Sequence, residues 1–369
     1  MPKMDITDEK YNFPYSCYIN LTSKCNLRCR HCFGSYSVPL ENELSFEDWK
    51  MIIDQLIENK VFFVNISGGE PTQSFYFKEF IRCLSKKGLH FILTTNGVFS
   101  EDTGKFIIEN KEYLIGVKIS FDGPDAKSHG FLRLDANGNY NPRIFDITLK
   151  NILFFKKQKI PLTISTVLHK ENIKKMNKFQ KLIKKIDPIS WFISPVIPLG
   201  RADANKFISQ CYEYFNVDFW NNLYKKGKQN RINVRLIDMP VSGKEGLSAY
   251  QCAGAINLCE IHSNGIVSPC TLSRLCIPES EIKFDNIKEK RLFDIWNGNA
   301  FNKFRSFMNK GCEGCKVISK CNKCAAQSFR YFKNGISPTP YCIKKGNVLC
   351  LSNLEGYRQI LKTKFDINL

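Results

Sequence analysis

The stretch C-N-L-R-C-R-H-C, residues 25–32, decides how the fold of this chain is interpreted. Its thiols, Cys25, Cys29 and Cys32, have the spacing C-x3-C-x2-C and follow directly on a short predicted strand, Tyr18 to Leu21. Three thiolates on one loop can occupy three corners of a cubane iron–sulfur cluster and leave one iron open for a substrate. A zinc site and unliganded buried cysteines are the alternatives. His31 could be a ligand, but we expect it to pack beside the cluster.

The residues after this loop predict repeated strand–helix units up to about residue 204. Alternation of this kind implies an α/β fold with a parallel sheet, helices outside and a site at the carboxyl ends of the strands. Short β-branched or aromatic runs predict the further strands as Val61 to Ser67, Phe91 to Thr95, Ile115 to Phe121, Leu162 to Leu168 and Trp191 to Val196. With the first strand, these runs give about six units, which would close only partly into a barrel.

Two amphipathic stretches between the strands predict helices. Ser45 and Asp48 resemble a capping box that begins the first of these helices. Apolar residues then repeat at helical spacing, as Trp49, Ile52, Ile53 and Leu56 in the first helix and Phe145, Leu149, Ile152 and Leu153 in the second.

Polar motifs close three of the predicted strands in turn: Ser67-Gly-Gly-Glu-Pro71, Thr95-Asn-Gly97 and Ser120-Phe-Asp-Gly123. Glycines let a backbone approach a ligand closely, and the carboxylate of Glu70 can accept hydrogen bonds from an amine. Together with the C-x3-C-x2-C loop, these motifs resemble the radical S-adenosylmethionine (radical SAM) superfamily over roughly residues 15–200. His31 stands where that family usually has an aromatic residue.

The resemblance implies a partial (β/α)6 radical SAM barrel with a [4Fe–4S] cluster on Cys25, Cys29 and Cys32. In that family the open iron binds the amino and carboxylate groups of S-adenosylmethionine. The resemblance implies that Gly68, Gly69 and Glu70 bind the amino group and that Asn96 belongs to a recurring cofactor-binding element. It also implies that Ser120 faces the ribose or the carboxylate. Arg133 is expected to pair with the carboxylate, and Arg143 is the alternative residue for that role.

A second cysteine array begins at Cys252 and resembles the SPASM domain, the auxiliary iron–sulfur domain of radical enzymes that mature peptides and proteins. Four residues separate Gly265 from Cys270, as in that pattern, whereas two residues instead of three separate Cys321 from Cys324. The resemblance implies two auxiliary [4Fe–4S] clusters, one on Cys312, Cys315, Cys321 and Cys342 and the other on Cys252, Cys270 and Cys324. The fourth ligand of the second cluster is Cys259, Cys276 or none, and two zinc sites are the alternative.

The remaining cysteines, Cys17, Cys83, Cys211 and Cys350, are expected to be plain buried thiols. The domain boundaries that we predict are an N-terminal extension at 1–14, the barrel at 15–204, a bridging segment at 205–238, the SPASM domain at 239–351 and a C-terminal helix at 352–369. The sixteen cysteines, with no apolar run of signal-peptide or membrane-spanning length, predict a cytoplasmic protein that does not use disulfides.

The resemblance implies an enzyme that reductively cleaves S-adenosylmethionine to a 5′-deoxyadenosyl radical, which abstracts hydrogen from a substrate. The SPASM pattern favours a ribosomally made precursor peptide, modified by a crosslink, a thioether or epimerisation, and the net charge of +19 suits an acidic leader. Since 24 residues precede Cys25, we expect a separate protein to recognise the leader. A flavodoxin or ferredoxin would supply the electron.

Three alternatives to this hypothesis stay open. The first is side-chain chemistry on a carboxylated tetrapyrrole, as in heme-synthesis relatives. The second is oxidation of a sulfatase Cys or Ser, although that subfamily has Asp where this chain has Thr271. The third is a zinc-ribbon nucleic-acid binder, which the basic charge allows but the strand–helix units with Gly-Gly-Glu do not explain. Nucleic acid and membrane partners are therefore not expected.

Overall fold

The computed structural model describes residues 13–197, 199–204, 217–236, 252–308, 324–335, 343–344 and 348–349. Outside these ranges lie four predicted cluster ligands, Cys312, Cys315, Cys321 and Cys342, together with Cys211 and Cys350. The predicted C-terminal helix and nearly all of the N-terminal extension are outside them too. In the part that is described, no helix is both long enough and apolar enough to cross a membrane.

The strands of the described residues are β1 Ser16–Asn20, β2 Phe63–Ser67, β3 His90–Thr95, β4 Leu114–Ser120, β5 Leu162–Val167, β6 Ser190–Ser194, β7 Val234–Leu236, β8 Leu258–Ile261, β9 Val267–Ser268, β10 Ile343–Lys344 and β11 Val348–Leu349. The helices are α1 Phe46–Glu58, α2 Phe77–Lys86, α3 Glu101–Glu109, α4 Ala126–Gly130, α5 Arg143–Lys157, α6 Lys170–Ile173, α7 Met176–Ile186, α8 Arg201–Ala204, α9 Val217–Gln229, α10 Thr271–Cys276, α11 Leu292–Trp296, α12 Asn299–Phe307 and α13 Ala325–Phe332. A 3-10 turn covers Pro71–Gln73.

One sheet organises the molecule, with strand order β7-β6-β5-β4-β3-β2-β1-β8-β9. Strands β1 to β6 lie side by side in chain order and are all parallel, which confirms the six predicted units. The buried residues of these strands and of the helices around them form one large apolar core. The carboxyl ends of the strands therefore meet at one edge, where the loops after β1 to β5 come together.

The first helix follows the sequence prediction closely. The Ser45 hydroxyl accepts the Asp48 N–H, and the Asp48 carboxylate accepts the Ser45 N–H, so the capping box is formed. The predicted apolar face of α1 is buried throughout. In α5, by contrast, one predicted core residue is wrong: Leu153 is 49% exposed. Polar Thr148 and Asn151 are buried instead, because they hydrogen-bond the loop after β3.

The sheet extends beyond the six predicted units at both edges. Strand β7, from the predicted bridging segment, pairs in parallel with β6. Strand β8, from the predicted auxiliary domain, pairs in parallel with β1 and continues antiparallel into β9. The cysteine-rich part of the chain is thus joined by main-chain hydrogen bonds directly to the strand that precedes the first cysteine loop.

Candidate active site

The first cysteine loop lies at the carboxyl end of β1 and is fixed by main-chain hydrogen bonds on both sides. The Cys25 N–H donates to the Ser37 carbonyl at 3.0 Å, and the Arg28 N–H donates to the Leu134 carbonyl at 3.0 Å. The Glu70 N–H, from the loop after β2, donates to the Lys24 carbonyl at 2.8 Å. The loop therefore has a fixed position among the ends of neighbouring strands.

The three thiols of this loop share one apolar patch. Cys25, Cys29 and Cys32 pack with buried Leu27 and Ile144. Burial raises the pKa of Cys25 to about 11 and that of Cys29 to about 12, so the free thiols keep their protons and ionise when a metal binds.

Two polar side chains reach these sulfur atoms. The Arg133 Nη1 lies 3.8 Å from the Cys29 Sγ, and the Asn96 Nδ2 lies 3.9 Å from the Cys25 Sγ. Donors of this kind stabilise a thiolate, and they also tune an iron–sulfur cluster. In the described ranges, no three His, Cys, Asp or Glu side chains converge as a single metal ion would need. Three thiols on one loop, packed in one apolar patch with two donors toward their sulfur atoms, fit the ligand set of a cubane cluster.

The Gly-Gly-Glu motif holds β2 against the start of the cysteine loop. Gly68 has a φ of +135°, and a Cβ at this position would lie 2.5 Å from the Thr22 carbonyl oxygen. A Cβ on Gly69 would lie 2.3 Å from the Lys24 carbonyl oxygen. Both glycines are therefore required for the close approach of the two chain segments.

Glu70 is fully buried and ties together the ends of β2 and β3. Its carboxylate accepts the Asn96 N–H and the Thr95 hydroxyl, each at 2.7 Å, and also the Thr72 hydroxyl at 2.8 Å. In this structure Glu70 thus sets the position of Asn96. Its predicted contact with the methionine amino group stays a prediction.

Ser120 and the two candidate arginines are placed differently. Ser120 ends β4, and within the described residues its hydroxyl has no hydrogen-bond partner, so it is available to a ligand. Arg133 is buried beside Cys29, whereas Arg143 is exposed at the start of α5. The predicted pairing of Arg133 with the methionine carboxylate stays a prediction.

Arg133, beside the cysteine loop, forms a buried ion pair with Asp122. This pair was not predicted from the sequence. Arg133 Nε donates to Asp122 Oδ2 at 2.7 Å, and both side chains are buried. Burial acts to raise the pKa of Asp122, but Arg133 and His31 counter this effect and bring it down to about 2. The His31 Nε2 lies 4.0 Å from the same carboxylate oxygen. Its predicted packing beside the cluster stays a prediction.

The Asp122 backbone is held just as firmly. The Asp122 N–H donates to the His129 Nδ1 at 3.1 Å, and its carbonyl faces the His169 Nε2 at 3.1 Å and accepts the Asn172 Nδ2–H at 2.9 Å. Both histidines are fully buried. The sequence feature that could have indicated this network is Asp122 itself, an acidic residue directly after a strand in Ser-Phe-Asp-Gly.

Four of the five described auxiliary cysteines, Cys252, Cys259, Cys270 and Cys324, fall into two groups. Cys252 and Cys270 are near enough to interact electrostatically. Cys270 directly precedes α10 and Cys324 directly precedes α13, and these two helices pack together. These placements agree with a shared cluster. Cys259, in contrast, lies in the core on β8, with its Sγ 3.6 Å from that of Cys17. Cys259 therefore packs against Cys17, and among the described residues no contact joins it to Cys252, Cys270 or Cys324.

A cavity of about 300 Å³ separates the first cysteine loop from the auxiliary region. Ser35, Tyr36 and Val38 line it on the side of the cysteine loop, and His262, Thr271 and Arg274 line it on the other side. The Ser35 N–H donates to the Cys32 carbonyl at 3.3 Å, and Thr271 follows Cys270 in the chain. The cavity thus lies beside both cysteine regions.

Glu260 lies buried near this cavity. Its carboxyl accepts the hydroxyl of Thr271. Burial raises the pKa of Glu260 to about 7, in spite of the hydrogen bonds from Thr271 and the charge of Arg274. No pattern in the sequence indicated Glu260, His262 or Arg274, because they come together only when β8 and α10 pack.

Two family models match the chain, the radical SAM superfamily over residues 19–183 and SPASM, an iron–sulfur cluster-binding domain, over residues 252–325. The chain belongs to the radical SAM superfamily. As a radical SAM enzyme with a SPASM domain, it is similar to the AdoMet-dependent heme synthase of Methanosarcina barkeri, 27% identical over 88% of this chain and 94% of that protein. It is also similar to the cysteine-type anaerobic sulfatase-maturating enzyme of Clostridium novyi, 28% identical over 87% of this chain and 90% of that protein.

Solved structures agree on the fold. The crystal structure of Streptococcus suis SuiB bound to precursor peptide SuiA superimposes with a TM-score of 0.70 at 19% identity, over 88% of this chain and 75% of that chain. This similarity supports the radical SAM and SPASM architecture.

The radical SAM enzyme uses a [4Fe–4S] cluster and S-adenosylmethionine, and its SPASM domain is a site for auxiliary clusters. Cys25, Cys29 and Cys32 would hold the first cluster, which supplies the electron that cleaves S-adenosylmethionine. The residues around it have separate tasks. Leu27 and Ile144 exclude water from the thiols. Arg133 and Asn96 donate toward two of the sulfur atoms.

Proposed function

We propose that this radical SAM enzyme modifies a ribosomally made precursor peptide by a crosslink, a thioether or epimerisation. The observation that carries the proposal is the cavity of about 300 Å³ between the first cysteine loop and the SPASM region. Its volume is at the lower end of the usual range for ligand pockets. Such a space suits one or two residues of a peptide better than a whole tetrapyrrole macrocycle.

The position of the cavity supports the same proposal. It borders the loop that would hold the catalytic cluster, and its far wall begins at Thr271, next to a predicted auxiliary ligand, Cys270. A peptide residue in this space would lie between the two cysteine regions. The relatives include a sulfatase-maturating enzyme, and a structural neighbour is bound to a precursor peptide, so peptide substrates occur among similar proteins.

Tetrapyrrole chemistry is the second candidate. The observation that favours it is the similarity to a heme synthase along 94% of that protein. Sulfatase maturation is the third, since Glu260 places a carboxyl group against Thr271, where that subfamily has Asp. The first of these two candidates predicts a carboxylated tetrapyrrole as the substrate, and the second predicts a Cys or Ser residue of a sulfatase.

The proposal includes two partners. One is an external one-electron donor of the flavodoxin or ferredoxin type, since the cluster must be reduced before S-adenosylmethionine is cleaved. The other is a separate leader-recognition protein. The sixteen cysteines and the oxygen-sensitive clusters suit a reducing cytoplasm.

The test is anaerobic co-expression of the enzyme with short peptides encoded beside its gene, followed by intact mass measurement. We expect a peptide that loses two hydrogens, or one that keeps its mass but incorporates deuterium from solvent. The Cys29→Ala variant is the control, because it lacks a ligand of the catalytic cluster and should leave every peptide unmodified. Unmodified peptides with the wild-type enzyme, together with turnover of a carboxylated tetrapyrrole or a sulfatase peptide, would reject the proposal.

A further inference from the structure

The segment after β6 meets the end of the first cysteine loop through Arg201, the first residue of α8. The Arg201 N–H donates to the Cys32 carbonyl at 3.0 Å. Its Nε donates to the Cys29 carbonyl at 2.8 Å, and its Nη1 donates to the Tyr36 carbonyl at 3.1 Å. One residue thus bonds the main chain at two predicted cluster ligands and at a residue in the wall of the cavity.

These bonds act on the turn that carries the last predicted ligand of the first cluster. Within this turn, the Cys32 N–H donates to the same Cys29 carbonyl at 3.2 Å, which is at the long end of the range for such bonds. The guanidinium of Arg201 adds a charged donor at 2.8 Å, and hydrogen bonds from charged donors are shorter and roughly twice as strong as neutral ones. The turn therefore depends more on Arg201 than on its own internal bond.

A glycine before Arg201 lets the two segments come this close. Gly200 has a φ of +56°, and a Cβ at this position would lie 2.3 Å from the Phe33 carbonyl oxygen and 2.7 Å from the Cys32 carbonyl oxygen. On the other side of Arg201, Ala202 is fully buried in a small apolar cluster. Arg201 is therefore anchored to a packed part of the barrel, and it can transmit that fixed position to the cysteine loop.

We propose that Arg201 is a positioning residue for the cleavage of S-adenosylmethionine, which holds Cys29 and Cys32 in place for the first cluster and joins them to Tyr36 in the cavity wall. Arg133 reaches the Cys29 sulfur and Arg201 bonds the Cys29 carbonyl, so two arginines hold this ligand at different atoms. Without Arg201, the loop would bind the cluster, and with it S-adenosylmethionine, less tightly. This role goes beyond the proposed function, since it concerns the cofactors and does not depend on a peptide substrate.

The test compares Arg201→Gln with Arg305→Gln in the iron-reconstituted enzyme under anaerobic conditions. Arg305 is the matched control, because its guanidinium also donates to two main-chain carbonyls, those of Ala255 at 2.7 Å and Trp296 at 3.0 Å, outside the first cysteine loop. Amide hydrogen exchange of residues 29–37 should become about tenfold faster in Arg201→Gln, as for the loss of a hydrogen bond from a charged group. In Arg305→Gln it should equal that of the wild-type enzyme.

The affinity for S-adenosylmethionine separates a positioning role from a purely structural contact. Calorimetry without reductant should show that Arg201→Gln binds S-adenosylmethionine about tenfold more weakly than the wild-type enzyme, whereas Arg305→Gln binds it equally well. Arg201→Lys is the milder second variant. It keeps the charge but lacks the planar fork that spans two carbonyls, so its affinity should remain below that of the wild-type enzyme.

Four outcomes would overturn the proposal. Unchanged exchange in Arg201→Gln would mean that the bridge does not hold the loop, and faster exchange with wild-type affinity would make the contact merely structural. Equal losses in Arg201→Gln and Arg305→Gln would mean general destabilisation. Wild-type behaviour of Arg201→Lys would mean that a positive charge is sufficient. Neither measurement involves a peptide, so a failure here is distinct from a failure to modify an encoded peptide.

Discussion

At the scale of single residues, the Asp122–Arg133 pair is the feature that most affects the chemistry. Arg133 touches both the carboxylate of Asp122 and the sulfur of Cys29, so the charge that reaches the catalytic cluster depends on both residues. Burial makes this coupling strong, because both side chains lie out of water. With the cluster bound, the pair would therefore influence the potential at which that cluster accepts an electron.

Asp122→Asn should raise the reduction potential of the first cluster. The substitution removes a negative charge and leaves Arg133 uncompensated, which stabilises the more negative reduced cluster. We expect a rise on the order of 60 mV, which corresponds to ~1.4 kcal/mol for one electron. An anaerobic redox titration followed by electron paramagnetic resonance measures it.

Asp125→Asn is the matched control for this prediction. It makes the same charge change three residues along, but Asp125 pairs with Lys175 and Lys178 rather than with Arg133. Its potential should equal that of the wild-type enzyme. Equal shifts in both variants would mean that net charge, and not the buried pair, controls the cluster.

At the scale of elements, the site depends on how closely β2 approaches the end of β1. Gly68 and Gly69 let the two segments approach until main-chain groups meet, and the Gly69 N–H donates to the Thr22 carbonyl at 2.7 Å. The cysteine loop begins two residues after Ser23, so a displacement here moves the first ligand directly. The Gly-Gly motif is thus a packing requirement of the cluster loop, in addition to its predicted role in binding the cofactor.

Gly68→Ala should reduce iron binding, whereas Gly88→Ala should not. Both glycines have positive φ, so alanine is strained at both. At Gly88 the φ of 73° lies near the left-handed region and the strain is about 1 kcal/mol, whereas at Gly68 the φ of 135° lies outside that region and the strain is larger. Only at Gly68 would the added Cβ also meet neighbouring backbone, because nothing lies within 4 Å at Gly88. We expect Gly68→Ala to lower the iron content and to weaken S-adenosylmethionine binding at least tenfold. Both quantities are measured on the same reconstituted samples. Parallel losses in the two variants would show that strain alone is responsible.

At the scale of the whole molecule, the SPASM region and the barrel share one sheet. Strand β8 pairs with β1 in register, so Cys259 lies beside Cys17 in the common core. The same strand carries Glu260 toward the cavity, and β9 leads to Cys270 and α10. The cavity is therefore lined by residues of both parts, the barrel and the SPASM region.

The pairing of β8 predicts different iron contents for two cysteine variants. After anaerobic reconstitution we expect about 12 iron per chain for three cubanes in the wild-type enzyme. Cys259→Ala should retain that number and lose only stability, since its thiol is a core residue. Cys270→Ala should lose about 4 iron, because a cubane loses a ligand. Iron analysis with equal losses in both variants would make Cys259 a ligand and would contradict its placement in the core.

The sequence alone determined the family, the barrel strands and the cysteine spacing, because these depend on local patterns. A short β-branched run predicts a strand, and the spacing of the cysteines in C-N-L-R-C-R-H-C predicts a cluster loop. Even so, local patterns misjudged Leu153, since apolar spacing does not register the polar loop that α5 packs against.

Only the tertiary structure decided where Cys259 lies, what Asp122 does and which side chains form the cavity. Cys17 and Cys259 are 242 residues apart in the chain, and Asp122 reaches the cluster loop through Arg133. Such contacts depend on strand order and on loops that cross between elements. Burial strengthens the electrostatic interactions of these groups, because water would screen the charge of the same carboxyl or guanidinium group at the surface.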